Sequence, residues 1–559
     1  MCAQPAELIS PILMPGPTSM PDQDRRWVLT FALLVMMFTT LPYLLGFASQ
    51  GSDWRFTGFL FGVEDGNSYI AKMQSGSAGA WLFRTPYTIE NQRGVVAFLP
   101  YLLLGKLAAP PGLHEQLVVL FHLFRIVAGI LEILATYQFL SLFIHTRSLR
   151  RSGLALATLG GGLGWLLVIT GHGDWLGSLP LDFYSPETFG FLGLFGLPHL
   201  ALARAGLLWG LTAYIKALSD PMGPTAQQGL KIGLYWLLVL FAQPLTGLVM
   251  GFVLGLYWTT LAAWQAWRKI KGFKYEGIRL LKGAVLFVWV GVLAAPFILY
   301  NYLAFSRDPF LSQWTAQNII TSPHPFHYLL AYGLLIPFAI AGGRKLLKST
   351  PWEGLLPVVW SLALPFLAYV PFNLQRRLPE GIYVALVILS VRALDRNGDL
   401  GSSKTNGRIW GLLILSLPST LFLFSGGIIA ARFLTLPVFR SVKEIAAFEY
   451  LSANAIAGQV VLTSYETGNA LPAWAPVRVV VGHGPESVRL AEFLPEVEQF
   501  YTPRDSDAER QSLLQDWSVE FVFRGPQEKI LGDWDPSGSG YLQPVFESGG
   551  YEVYRVHVK

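Results

Sequence analysis

The chain has 559 residues, of which 52% are hydrophobic and 14% charged, with a formal net charge of +5. Soluble domains carry about 25% charged residues. That deficit, with a mean hydropathy of +0.43, excludes an ordinary soluble enzyme and points to many membrane crossings. The one cysteine, Cys2, excludes an intrachain disulfide.

Residues 1–26 are rich in proline and lack a signal-peptide core, so they read as a cytoplasmic tail. A span needs about 20 apolar residues. The first candidate, residues 27–48, follows Arg25-Arg26, which puts the N-terminus inside and residues 49–115 outside. This first outer loop holds Glu64-Asp65 and then Arg84, Tyr87 and Glu90. Its apolar piece 95–108 is too short to span and reads as an interfacial helix.

Further spans are read at 116–144, 152–170 and 191–218. Residues 232–267 carry no charge and would make one helix of about 54 Å. The basic cluster Arg268, Lys269, Lys271, Lys274, Arg279 and Lys282 belongs inside, so the run is read as two spans broken near Gln243-Pro244. Others follow at 283–305, 326–341, 354–371, 381–394 and 409–431. The expectation is a polytopic α-helical membrane protein with about 11 transmembrane helices over residues 27–431. Residues 432–559 alternate strand-like and helix-like runs, which suggests an extracytoplasmic α/β domain. The basic clusters follow topology, so no nucleic-acid surface is read.

Glu64-Asp65 could supply acid–base chemistry at a lipid boundary, although Asp-Gly-Asn is also good turn chemistry. Arg376-Arg377 sits at an outer helix end, where topology does not require cations. Guanidinium forks suit phosphate, and snorkelling at headgroups is the alternative. His199 and Arg204 lie inside a span, as does Arg125, a candidate partner for Glu90. Asp174, Asp182 and Glu187 could approach Asp65. His172, His199, His324 and His327 lack metal-ligand spacing. His483, in Gly482-His483-Gly484-Pro485-Glu486, could mark an anion or sugar site, or a plain strand-to-helix turn.

Asp65, with Tyr69 four residues on and Ala71 two further, resembles the first outer loop of the GT-C superfamily of membrane glycosyltransferases. Protein O-mannosyltransferases and lipid A aminoarabinose transferases belong to it. Pro100-Tyr101-Leu102 with Gly105, Arg125 with Gly129, and Gln375-Arg376-Arg377 resemble further motifs of that superfamily. Residues 460–484 and the last domain resemble a bacterial subgroup. The resemblance implies a transferase in the cell membrane that moves a sugar from a polyprenyl-phosphate donor by inverting displacement. The acceptor would be a glycan, lipid or protein. Asp65, or Glu64, would be the base. Arg376, Arg377, Arg204 and His199 would bind the donor phosphate. Tyr69, Arg84, Tyr87, Glu90, Arg125 and His324 would line the acceptor side. Many members have Asp-Glu where this chain has Asp65-Gly66, which leaves open which carboxylate acts. The stretch has no Asp-X-Asp, so no metal ligand is assigned; a divalent metal stays open as a cofactor. A transporter or flippase, or a non-catalytic surface-assembly protein, remains the alternative.

Overall fold

In a computed structural model the described residues are 22–557, except 222, 273–276, 351 and 396–402. The expected tail up to residue 21, Lys274 and Arg396 lie outside them.

Helix α1 (Asp22–Ser49) starts with two carboxylates in its first turn, which suits a helix N-terminus. One of these, Asp24, is buried and pairs with Arg147 at 2.8 Å and Arg151 at 3.3 Å. That contact fixes α1 against α5 (Arg147–Leu159). Strand β1 (Trp54–Phe56) follows, then α2 (Val63–Ser77), the short α3 (Leu99–Gly105) and α4 (Leu113–Leu140). Helices α2 and α3 touch backbone to backbone. A Cβ at Gly105 would lie 1.9 Å from the Met73 carbonyl oxygen, and one at Gly76 would lie 2.1 Å from that of Leu102. Only glycine permits this approach.

The bundle continues with α6 (Trp165–Ile169), α7 (Gly190–Gly196), α8 (Pro198–Ser219), α9 (Ala226–Ala242) and α10 (Pro244–Ile270). Next come α11 (Gly277–Arg307), α12 (Pro309–Gln317), α13 (Pro325–Tyr332) and α14 (Ile336–Ser349). The last four are α15 (Leu355–Leu362), α16 (Leu364–Tyr369), α17 (Ile382–Leu394) and α18 (Ser403–Ala430).

Among the described residues five helices are long and apolar enough to cross a membrane, or six if the pair α13 and α14, bent by 69°, is one span. The chain is therefore a membrane protein, with fewer clear spans than the eleven read from sequence. The difference has a physical cause. The run expected at 152–170 leaves the helix at Gly160 and resumes at Trp165. Asp182 Oδ2 accepts hydrogen bonds from the Gly162 and Gly164 amides and from Ser419 Oγ on α18. Asp182 thus closes a helix break and does not approach Asp65. The run at 191–218 breaks at Leu197-Pro198, whereas the run at 232–267 breaks at Gln243-Pro244, where the sequence placed the break. Helix α17 is buried along nearly its whole length. Its apolar run reflects protein neighbours, and its length of about 20 Å falls short of a bilayer.

Strand β2 (Phe439–Ser441) pairs antiparallel with β1, so the segment after α1 is stitched to the start of the C-terminal domain. In that domain α19 (Val442–Asn454) precedes β3 (Val460–Leu462), α20 (Tyr465–Ala470), β4 (Arg478–Val479), α21 (Leu490–Phe500) and α22 (Asp507–Asp516). Then come β5 (Val519–Arg524), α23 (Pro526–Leu531), β6 (Leu542–Ser548) and β7 (Tyr551–Val556). The sheet order is β4-β3-β5-β7-β6, parallel through β5 and antiparallel beyond it. One apolar core joins Ile70, Tyr101 and Phe121 to Phe448, Leu471 and Phe523. The domain is therefore packed on α2, α3 and α4.

Candidate active site

Glu64 and Asp65 lie in the first turn of α2, which begins at Gly62 in the left-handed conformation (φ 54°). The alternative of a plain turn does not hold: the pair starts a helix, whose dipole favours carboxylates there. The two acids diverge. Glu64 Oε2 accepts a hydrogen bond from Tyr465 at 3.3 Å. Asp65 Oδ1 lies 3.2 Å from His483 Nε2. The Asp65 side chain is 54% exposed, yet protein surrounds it densely, which places it in a recess. Burial works to raise its carboxyl. The His483 hydrogen bond and charge, with the charges of Arg377 and Lys72, outweigh that effect and hold it below the usual carboxylate value.

Two turns further along α2, Lys72 forms a buried ion pair of 2.5 Å with Glu486 of the C-terminal domain. Glu486 Oε1 also accepts from Ser68, and its Oε2 from Thr85, both at 2.6 Å. Burial favours protonation of Glu486. The Lys72 and His483 charges and these hydrogen bonds prevail, so its carboxyl is depressed. The Lys72 ammonium also faces the Phe98 ring at 4.4 Å. Nearby, Asn67 donates to Asn469 at 2.8 Å.

Tyr69 stacks on Tyr101 at 4.6 Å between ring centroids, and the Tyr101 hydroxyl meets His199 Nδ1 at 2.8 Å. Burial raises the Tyr69 phenol, as does the charge of Asp65, against an opposing influence of Arg377. Tyr69, Asp65, His199 and Arg377 thus fall within one electrostatic neighbourhood. The two arginines of the pair part company. Arg377 Nε lies 3.5 Å from Glu187 Oε1, whereas Arg376 stacks over the Tyr184 ring at 4.5 Å.

Arg204 is buried and satisfied by Glu380 at 2.5 Å, Glu132 at 3.0 Å and the Pro186 carbonyl at 2.7 Å. Its donors are consumed inside the bundle, not offered to a ligand. The contact has a positioning effect, because Pro186 precedes Glu187 and Glu380 follows Arg377 by three residues. Arg125 bonds Thr39, Thr40 and the Leu194 carbonyl, tying α1, α4 and α7 together. The expected partner, Glu90, instead pairs with Arg489 at 2.7 Å. Tyr87 is buried beside His483 and donates to the Asn469 carbonyl. Arg84 is exposed. His324 caps α13 and stacks on Phe326, outside the Asp65 cluster.

Lys72, Glu486 and Ser68 are not read from sequence as site residues, Glu187 is read only as able to approach Asp65, and His483 mainly as a turn. Once α2 is a helix, Asp65, Tyr69 and Lys72 fall at i, i+4 and i+7, one face. That periodicity was the available signal. No cluster of three or more acidic, His or Cys groups suited to a metal occurs among the described residues. Asp65, His483 and Glu486 do approach one another, but an ammonium stands among them and both Glu486 oxygens are engaged. These residues do not make a dication site.

No protein-family model and no curated sequence matches the chain. Solved structures do. An arabinofuranosyltransferase AftD from Mycobacteria superposes with a TM-score of 0.58 and 13% identity over 97% of this chain and 42% of its own. The oligosaccharyltransferase AglB from Archaeoglobus fulgidus, in complex with an inhibitory peptide and a dolichol-phosphate, gives 0.51 and 11% over 89% and 69%. ArnT from Cupriavidus metallidurans, in the apo state, gives 0.50 and 13% over 93% and 97%. All three are GT-C glycosyltransferases. The chain has the GT-C fold. At these identities the likeness establishes the fold alone. Here Asp65, Arg377 and His199 stand on three different segments within reach of one another's charge.

Proposed function

We propose that this chain is a membrane glycosyltransferase that moves a sugar from a polyprenyl-phosphate donor to an acceptor on the extracytoplasmic side of the cell membrane. The observation that carries the reading is the recessed Asp65 carboxylate within the electrostatic reach of Arg377. Asp65 takes the proton of an acceptor hydroxyl. That oxygen bonds to the anomeric carbon as the bond from this carbon to the phosphate oxygen breaks, with inversion. The departing polyprenyl phosphate keeps the electron pair, and Arg377 meets its charge. Tyr69 and His199 line the recess. The reading agrees with the lipid and peptide ligands of the AglB complex. Arg376, stacked on Tyr184, serves the lipid headgroup side.

A transporter has one observation in its favour, the buried Glu132–Arg204–Glu380 cluster within the bundle. The cavity beside it is only about 10 Å³, room for one water. A sugar-lipid has no passage there, so the transferase is preferred.

The test uses full-length protein in proteoliposomes with radiolabelled polyprenyl-phosphate sugars from native membranes. Asp65→Asn should abolish transfer while binding of undecaprenyl phosphate persists. Transfer surviving both Asp65→Asn and Glu64→Gln would remove the base from the proposal.

A further inference from the structure

His483 sits between two carboxylates. Its Nε2 is 3.2 Å from Asp65 Oδ1, and its Nδ1 is 3.7 Å from Glu486 Oε1 and makes no hydrogen bond. The side chain is only 4% exposed. The turn that carries it is fixed at every amide. The Gly482 and His483 amides donate to Ser487 Oγ, and the Gly484 amide donates to the Tyr465 hydroxyl. A Cβ at Gly482 would lie 2.5 Å from the Gly468 carbonyl oxygen, so the turn is pressed onto α20. The Tyr87 ring lies against the imidazole at 5.5 Å. The ring has no room to swing away.

An ionised carboxylate can only accept, so the Asp65 contact requires a proton on Nε2. Nδ1 then points toward Glu486, which also cannot donate. The charged and titratable groups facing the imidazole are Asp65 and Lys72 from α2, Glu486 from its own turn and Tyr87. Arg377 acts beyond Asp65. Lys72 is spent on Glu486. The arrangement has the logic of an acid–imidazole pair in which a buried ring orients its neighbour.

We propose that His483 is the positioning residue for Asp65: its Nε2–H pins Oδ1, leaving Oδ2 as the oxygen presented to the recess, and the Lys72–Glu486 pair holds the turn that carries the ring. The C-terminal domain therefore supplies half of the reactive pair. The inference rests on the transferase reading only in taking Asp65 as the base.

The first arm of the experiment, carboxyl labelling, needs no acceptor. Full-length protein in proteoliposomes is treated with dicyclohexylcarbodiimide, which attacks protonated carboxyls. Modification of the Asp65 peptide is followed by mass spectrometry across pH. In the native chain labelling should set in only at acid pH. His483→Ala should move its midpoint upward by about one pH unit or more. His483→Gln keeps an N–H donor near the Nε2 position and should lie between the two. Transfer should fall about 100-fold in His483→Ala and be partly rescued in His483→Gln. An unchanged midpoint in both variants overturns the inference and leaves Asp65 as base untouched. A shifted midpoint with full transfer by Asp65→Asn supports the pairing and overturns the base role instead.

Discussion

His483 Nε2 meets Asp65 Oδ1 at 3.2 Å across 418 residues of sequence. The contact joins the start of the first helix after the N-terminal span to the turn before α21. It also separates the roles of the two adjacent acids, because Glu64 is turned to Tyr465 instead.

We predict that Asp65→Asn lowers transfer by about 10²–10⁴-fold, the range of a lost general base. Glu64→Gln should stay within about tenfold, since Glu64 makes only an exposed contact. Steady-state rates with labelled donor check this, and equal losses in the two variants would refute the assignment.

Arg377→Lys should weaken binding of undecaprenyl phosphate by about tenfold, because a point charge replaces a planar fork. Arg376→Ala should change it less, its guanidinium being stacked on Tyr184. Titration by intrinsic fluorescence distinguishes the two.

Lys72→Met leaves Glu486 buried without its cation and should cost about 3–5 kcal/mol. Lys72→Met with Glu486→Gln should be less destabilised than Lys72→Met alone, because the uncompensated charge is gone. Thermal unfolding in detergent reports the difference.

The same pair carries a pH signature. The Glu486 carboxyl is depressed when folded, so its unfolded form binds the proton more readily. Its contribution to stability is full above the ordinary glutamate value of about 4.3 and is lost as pH falls through the lower folded value. The melting-temperature advantage of the native chain over Glu486→Gln should therefore shrink below about pH 4. An advantage independent of pH would show that ionisation of Glu486 contributes nothing.

Gly105→Ala should destabilise by about 1–3 kcal/mol or more, since the added methyl meets the Met73 carbonyl and backbone must shift. Gly255→Ala, with open space around it, is the control. Expression and melting of the two variants test the close approach.

The sequence carried the long helices plainly. The runs of α1, α4, α10, α11 and α18 are apolar over enough length that pattern alone defines them. The break at Gln243-Pro244 was legible from the basic cluster after it, but those at Gly160 and Leu197 were harder, because they interrupt helices without interrupting hydrophobicity. Asp65 was legible from its place after the first span. Its partners were not, because Lys72 lies on a stretch too polar to read as a buried helix, and Glu486 comes 414 residues later. Arg376 and Arg377 look alike in sequence. Only the positions of Glu187 and Tyr184 tell them apart.

The pairing of β1 with β2 has a consequence for biosynthesis. A ribosome that has finished every helix up to α18 has still not made β2, Glu486 or His483. Until then Lys72 has no counter-ion and Asp65 no imidazole. The cluster around Asp65 is therefore completed only by segments made after α18.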